Sequence, residues 1–83
     1  MTNDMTMSQR IETAIRRALR ISGSTPAPLR MGSTPGWDSM GHMMVVLEIE
    51  KEFQAKFPPY VLPALVDVES IERTLSKPAA KAA

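Results

Sequence analysis

The amino-acid sequence predicts an all-α fold, a four-helix bundle of three main helices and one short helix, with a long loop after the first helix. Its 83 residues are enough for one hydrophobic core and too few for two. Apolar residues recur at helical spacing in three segments, and no segment alternates apolar and polar residues as a half-buried strand does. We expect the domain to span residues 6–76, between disordered ends at 1–5 and 77–83.

The first helix is predicted from about Thr6 to Ile21. Thr6 and Gln9 stand at the spacing of a capping box, and Gly23 is expected to end the helix. The apolar stripe of this helix consists of Ile11, Ala14, Ile15, Ala18 and Leu19. Residues 22–37 contain three prolines and three glycines, which favour a long loop over helix or strand. The residues expected to anchor this loop to the core are Leu29, Met31 and Trp37.

The second helix is predicted from Asp38 and Ser39 to about Phe57, where two prolines end it because the residue before a proline avoids the helical region. Placed at about 100° per residue, its apolar side chains fall on two nearly opposite sides. The side assigned to the core consists of Val45, Val46, Ile49, Phe53 and Phe57. The opposite side consists of Met40, Met43, Met44 and Leu47. Any one of these four could be core, but burial of all four together is not expected, and an exposed methionine stripe is an adaptable docking surface.

The last third of the chain predicts two shorter helices. Residues 60–66 permit a short turn of helix with Pro63 in its first turn, where proline is tolerated. Asp67 then stands where an aspartate side chain can cap a last helix, predicted over residues 68–75. The residues predicted to form its buried side are Val68, Ile71 and Leu75.

Composition excludes several classes of protein. The chain has no cysteine, which excludes disulfides and thiolate metal sites, and one histidine with scattered carboxylates predicts no metal site. Neither a signal-peptide apolar region nor a run of about eighteen apolar residues is present, so we expect a cytoplasmic monomer without membrane contact. The net charge is +1, but arginines dominate residues 1–31 and acids dominate residues 32–75, which predicts different partners for different faces.

Residues 36–41, Gly-Trp-Asp-Ser-Met-Gly, place Ser39 in the first turn of the second helix, directly after the long loop. Unpaired amides and partial positive charge at a helix N-terminus favour a phosphate attached there. Asp38 can cap the helix and orient Ser39 outward, and Gly41 is expected to keep the first turn low for an approaching enzyme. Asp and Ser are also ordinary helix-start residues, so the hypothesis depends on the loop before them and the long helix after them.

On these residues the chain resembles the acyl carrier protein family, in which an Asp-Ser-Leu motif opens the second of four helices; Met40 stands where the family usually has Leu. The resemblance continues through residues 46–53 and 67–71 and covers most of residues 29–75. It implies an acyl-carrier-like bundle in which a phosphopantetheinyl transferase, using coenzyme A and a magnesium ion, attaches a 4′-phosphopantetheine arm to Ser39. It also implies that a ligase or synthase loads the thiol of that arm with an acyl or aminoacyl cargo as a thioester.

The second helix departs from the acidic pattern common in that family. Gly41, Met44 and Lys51 occupy positions where acidic carriers commonly have Asp or Glu, which leaves Asp38, Glu48, Glu50 and Glu52 to supply the negative field. We therefore expect weaker long-range electrostatic attraction of partner enzymes to this helix, and a larger contribution of apolar contacts to their binding. The predicted docking residues are Met40, Met43, Met44, Leu47, Glu50 and Lys51. This pattern favours a specialised stand-alone carrier, of the aminoacyl kind or of secondary or envelope metabolism, with a dedicated ligase; the alternative is a general carrier of fatty acid synthesis.

Two other functions are weighed against a carrier. Ser39 and His42 are neighbours on one helix, but the sequence lacks a Gly-x-Ser-x-Gly elbow, so we expect no catalytic residue, and His42 is expected at the surface or rim near the arm. A helical nucleic-acid-binding module is suggested by Arg10, Arg16, Arg17 and Arg20. Such clusters are usually a solvated face, and the acidic remainder of the chain would repel phosphates, so no nucleic acid partner is expected.

Overall fold

The computed structural model describes residues 5–77. Over this range it contains three α-helices, α1 (Met7–Leu19), α2 (Ser39–Phe53) and α3 (Val68–Leu75), with a 3₁₀ helix (Pro59–Ala64) between α2 and α3. The described chain has no strand, only an isolated antiparallel bridge between Arg30 and Asp67. The predicted all-α fold is confirmed, including the long loop between α1 and α2. The disorder expected at the chain ends concerns residues outside the described range, apart from Met5 and Lys77.

Helix α1 begins as predicted and ends earlier. The Gln9 backbone N–H donates to Thr6 Oγ1 at 3.1 Å, and the Thr6 N–H donates to Gln9 Oε1 at 2.8 Å, which completes the capping box. The buried residues of the helix are Ile11, Ala14 and Ile15. The expected stop at Gly23 is wrong, because Arg20 already adopts the left-handed conformation with φ of 56° and its N–H bonds back to the last turn.

Helix α2 also ends earlier than predicted, at Phe53 instead of Phe57. Gln54 adopts the left-handed conformation with φ of 51°, and its N–H donates to the Glu50 carbonyl oxygen. The chain then folds back on the helix, where the Phe57 N–H donates to Glu50 Oε2 at 2.8 Å. Phe57 is therefore buried, as expected, but from a loop. The core side of α2 is confirmed by the burial of Val45, Val46 and Ile49.

Helix α3 agrees more closely with its predicted bounds than α1 and α2 do, and the predicted short helix precedes it as a 3₁₀ helix. The 3₁₀ helix starts at Pro59, so Pro63 is its fifth residue and does not lie in its first turn, which corrects that expectation. Asp67 caps α3 as predicted, since the Ser70 N–H donates to Asp67 Oδ1 at 2.8 Å. Ile71 and Leu75 are buried, and Val68 is half-buried against the core.

The long loop is part of the core. Leu29 and Trp37 are fully buried, and the half-buried Met31 packs against the same cluster, so these three anchors are confirmed. The Met31 N–H donates to the Val66 carbonyl oxygen at 2.8 Å, which ties the loop to the segment before α3. The loop therefore fixes the start of α2 against the rest of the bundle. None of the helices in residues 5–77 is long and apolar enough to cross a membrane.

Candidate functional site

Ser39 is the first residue of α2, and its side chain is exposed. Its hydroxyl has no hydrogen-bond partner among residues 5–77. Asp38 caps the helix: the Gly41 N–H donates to Asp38 Oδ1 at 2.8 Å, while the amides of Ser39 and Met40 have no intrahelical acceptor. The serine is thus accessible, and an anionic group attached to it would lie beside unpaired amides and the positive end of the helix dipole.

Gly41 allows close packing at the start of α2. A Cβ atom on Gly41 would overlap the carbonyl oxygen of Gly36 and lie 3.1 Å from Leu19 Cδ2. Gly36 itself has φ of 83°, in the region that favours glycine. The absence of a side chain at Gly41 therefore lets the loop and the end of α1 pack directly on the first turn of α2. Its effect is to fix Ser39 on a closely packed junction; that Gly41 also keeps the first turn low for an approaching enzyme stays a prediction.

His42 is buried, with 7% of its surface exposed, so its expected place at the surface or rim is wrong. Trp37 Nε1–H donates to His42 Nδ1 at 2.9 Å, which makes Nδ1 an acceptor and leaves the ring proton on Nε2. That N–H donates to the Leu62 carbonyl oxygen at 2.8 Å. The imidazole therefore joins the long loop, α2 and the 3₁₀ helix. With both nitrogens occupied, neither is available as a base at Ser39.

The methionines predicted to form a second apolar side of α2 are exposed. Met40 is 81% exposed, and Met43, Met44 and Leu47 are between 51% and 57% exposed. Lys51, also exposed, continues the same side of the helix toward its C-terminus. We call these residues the outer face of α2; they are Met40, Met43, Met44, Leu47 and Lys51. Among the predicted docking residues, these five therefore share one accessible surface.

The carboxylates of α2 do not belong to that surface. Glu48 Oε2 accepts from Arg17 Nη1 at 3.1 Å, and Glu52 Oε2 accepts from Arg10 Nε at 3.0 Å, so both acids pair with α1. Glu50 is half-buried and accepts the Phe57 N–H. Glu50 therefore differs from the other predicted docking residues in having a role inside the domain. Of the four acids expected to supply the negative field, Glu48 and Glu52 are therefore paired with arginines of the same chain, whereas Asp38 and Glu50 form no ion pair among residues 5–77.

The arginines that suggested a nucleic-acid-binding face are mostly paired. Arg16 bonds Glu12 at 3.1 Å, and the guanidinium of Arg10 also lies 4.4 Å from the centre of the Phe53 ring. Of the four arginines on the first predicted helix, only Arg20 has no ion pair to a carboxylate in the described chain. Within residues 5–77, no cluster of three or more histidines or carboxylates could hold a metal ion.

The sequence predicted the position of Ser39 at the start of α2, its cap and the exposure of the outer face, but not the pair formed by Trp37 and His42. A tryptophan five residues before a histidine was the available signal, but the second partner, the Leu62 carbonyl, lies 20 residues further on.

A groove of about 400 Å³ lined by Arg10, Phe53 and neighbouring residues lies at the other end of α2 from Ser39. No family model, curated protein or solved structure matches the chain.

Proposed function

We propose that the protein is a carrier whose Ser39 bears a 4′-phosphopantetheine arm that holds an acyl or aminoacyl group for transfer between partner enzymes. The observation that carries this proposal is the setting of Ser39: an exposed hydroxyl, without a hydrogen bond in the described chain, at the start of a 15-residue helix capped by Asp38. A phosphodiester at this position would face unpaired amides. The resemblance of the sequence to acyl carrier proteins supports the same assignment.

Attachment of the arm would be a phosphoryl transfer catalysed by a separate transferase. Ser39 Oγ forms a bond to the phosphorus that bears the pantetheine group of coenzyme A. The pyrophosphate P–O bond breaks, adenosine 3′,5′-bisphosphate leaves with the bonding electrons, and a base of the transferase takes the hydroxyl proton. The chain supplies only the attachment point, because both nitrogens of His42 are engaged elsewhere. Once bound, the arm supplies a thiol that holds the cargo as a thioester.

The surface next to Ser39 favours a specialised carrier over a general carrier of fatty acid synthesis. Four apolar side chains of the outer face are exposed, and Glu48 and Glu52 are paired with arginines of α1. Partners that recognise an acidic helix would therefore find few free carboxylates here. We propose a dedicated ligase as the loading enzyme. Turnover by fatty acid synthesis enzymes equal to that of an acidic carrier, measured side by side, would contradict this part of the proposal.

Intact-mass measurement tests the carrier function directly. The full chain is incubated with coenzyme A, magnesium and a broad-specificity phosphopantetheinyl transferase, beside Ser39→Ala and, as a matched control, Ser33→Ala in the exposed part of the loop. We expect one phosphopantetheine on the parent chain and on Ser33→Ala, and none on Ser39→Ala. Circular dichroism confirms that the variants are folded. A parent chain that gains no mass would refute the proposal.

The same preparation addresses the nucleic-acid-binding alternative. Three of the four arginines that suggested it are bonded to carboxylates of the same chain, which lowers the charge available to a phosphate backbone. We expect the unmodified chain to pass through immobilised duplex DNA at low ionic strength. Retention that falls steeply with added salt would favour the alternative.

A further inference from the structure

The outer face of α2 carries no carboxylate. At about 100° per residue, its five side chains lie within an arc of about 100°, and they extend over about 17 Å of the helix. Glu48 and Glu52 lie on the side that faces α1, as their ion pairs with Arg17 and Arg10 show. Lys51 is the one charged residue on the face. The outer face is thus an exposed apolar strip with a single cation at one end.

The charge of this face determines the chemistry of the partner. A partner with a basic contact patch would find no free carboxylate on the strip and would meet Lys51 at its end. A partner with an acidic edge would find a cation there, and one with an apolar centre would bury the methionines, whose unbranched side chains adapt to its shape. Electrostatic matching of this kind selects partners and orients their approach.

We infer that the outer face of α2 docks a protein partner whose contact patch is apolar at its centre and acidic at the edge that meets Lys51. The inference deepens the proposed function, because an enzyme acting on an arm at Ser39 approaches over this end of α2. Under the proposed function a second copy of the chain is not the occupant, since two copies joined through this face would cover the first turn that holds Ser39. The partner is therefore a different protein.

Two synthetic amphipathic helical peptides test this inference. Both have the same leucine-rich face; one carries glutamates along its edges and the other carries lysines. Binding to the full chain is followed by NMR of ¹³C-labelled methionine methyl groups. Met40, Met43 and Met44 report on the outer face, while Met7 and Met31, half-buried against the core, are internal controls. The titrations are repeated with Ser39→Ala, so that the result does not depend on attachment of an arm.

We expect the glutamate peptide to shift the three methyl signals of the outer face and to bind about two- to fivefold more tightly than the lysine peptide at low salt. The difference should vanish near 0.5 M NaCl, where the Debye length falls to a few ångströms (~4 Å). Lys51→Glu should reverse the preference, whereas Lys56→Glu, an exposed lysine beyond the end of α2, should leave it unchanged. Leu47→Asp should weaken both peptides about tenfold.

Several results would overturn the inference. Tighter binding of the lysine peptide to the parent chain, or equal binding of the two, would contradict an acidic partner. Shifts confined to Met7 and Met31, or no shift of the three outer methyl groups, would place docking elsewhere. Shifts of the outer methyl groups that grow with protein concentration in the absence of peptide would show that a second copy covers the face. Since Ser39→Ala gives the same readout, none of these results depends on the outcome of the mass measurement.

Discussion

The two sides of α2 differ in what determines their residues. On the inner side, Val45 and Ile49 have almost no exposed surface, and both ring nitrogens of His42 are hydrogen-bonded. On the outer side, Met40 is 81% exposed and Lys51 contacts no carboxylate within residues 5–77. The inner side is therefore fixed by packing and hydrogen bonding within the domain. The outer side packs little against the rest of the domain. Exposed apolar patches of this kind are typical of surfaces that bind a partner.

The polar atoms follow the same division. Among residues 5–77, every buried side-chain nitrogen or oxygen has a hydrogen-bond partner. Glu48 and Glu52 are directed toward α1 and Glu50 toward the returning loop, so each of the three acids of α2 has a contact within the domain. Substitutions on the inner side should thus change stability, and substitutions on the outer side should change binding. Variants on the two sides of α2 test that separation.

The largest expected difference is between Ile49→Ala and Leu47→Ala, two positions apart on the same helix. Ile49 is 1% exposed, and its truncation leaves a cavity in the core, so the free energy of unfolding should fall by about 2–5 kcal/mol. Leu47 is 57% exposed, and its truncation should change that free energy by less than about 0.5 kcal/mol. Urea unfolding followed by circular dichroism measures both. Comparable losses at the two positions would show that the outer side is also held by packing.

The next effect concerns the pair formed by Trp37 and His42. His42→Phe leaves the Trp37 indole N–H without its acceptor and removes one of the two donors to the Leu62 carbonyl, which keeps the Leu65 N–H; it should lower the free energy of unfolding by about 1–3 kcal/mol. Because the two side chains share a hydrogen bond, Trp37→Phe should be less destabilising in the His42→Phe background than in the parent chain. Additive losses in the double-mutant cycle would mean that this bond contributes no coupling.

The sequence was sufficient to predict the order of the helices, three of their caps and both sides of α2, because these depend on local spacing and on side chains close in sequence. The premature ends of α1 and α2 could not be predicted in this way. Arg20 and Gln54 take the left-handed conformation that ends many helices. Glycine usually occupies such a position, and the side chains of these two residues give no indication of it. The next residues, Ile21 and Ala55, donate their N–H groups to the carbonyl oxygens of Arg16 and Glu50, which closes each helix with backbone groups alone.

The same limit applies to the site. Burial of His42 depends on a carbonyl oxygen 20 residues away, and the pairing of Glu48 and Glu52 depends on arginines 31 and 42 residues away. A linear sequence shows the charges of α2 but not which of them the neighbouring helix neutralises. The ion pairs of Glu48 and Glu52 could not be predicted for that reason, while the exposed methionines needed only helical periodicity.

A comparison of two glycines tests how the loop holds the start of α2. In Gly41→Ala, the added methyl group would overlap the Gly36 carbonyl oxygen, so the loop must shift and the free energy of unfolding should fall by about 1–3 kcal/mol. Gly23→Ala adds the same group where no atom lies within 4 Å and should change stability by less than about 0.5 kcal/mol. Urea unfolding of the two variants is the measurement. Unchanged stability in Gly41→Ala would mean that the junction beneath Ser39 yields easily.

The smallest expected effect concerns the half-buried cap of α3, Asp67, a polar contact away from α2. The Ser70 N–H and hydroxyl, with Arg30 and Arg73 nearby, hold the pKa of Asp67 below its ordinary value. Folding therefore favours the carboxylate, and its contribution is complete above about pH 4 and lost as the pH falls through the lower folded pKa. Asp67→Ala should lower the free energy of unfolding by about 1 kcal/mol at pH 7. The difference in the free energy of unfolding between Asp67→Ala and the parent chain, measured by urea unfolding, should stay constant from pH 7 to 5 and narrow below about pH 4. A difference that widens on acidification would show that the carboxylate is not the stabilising form.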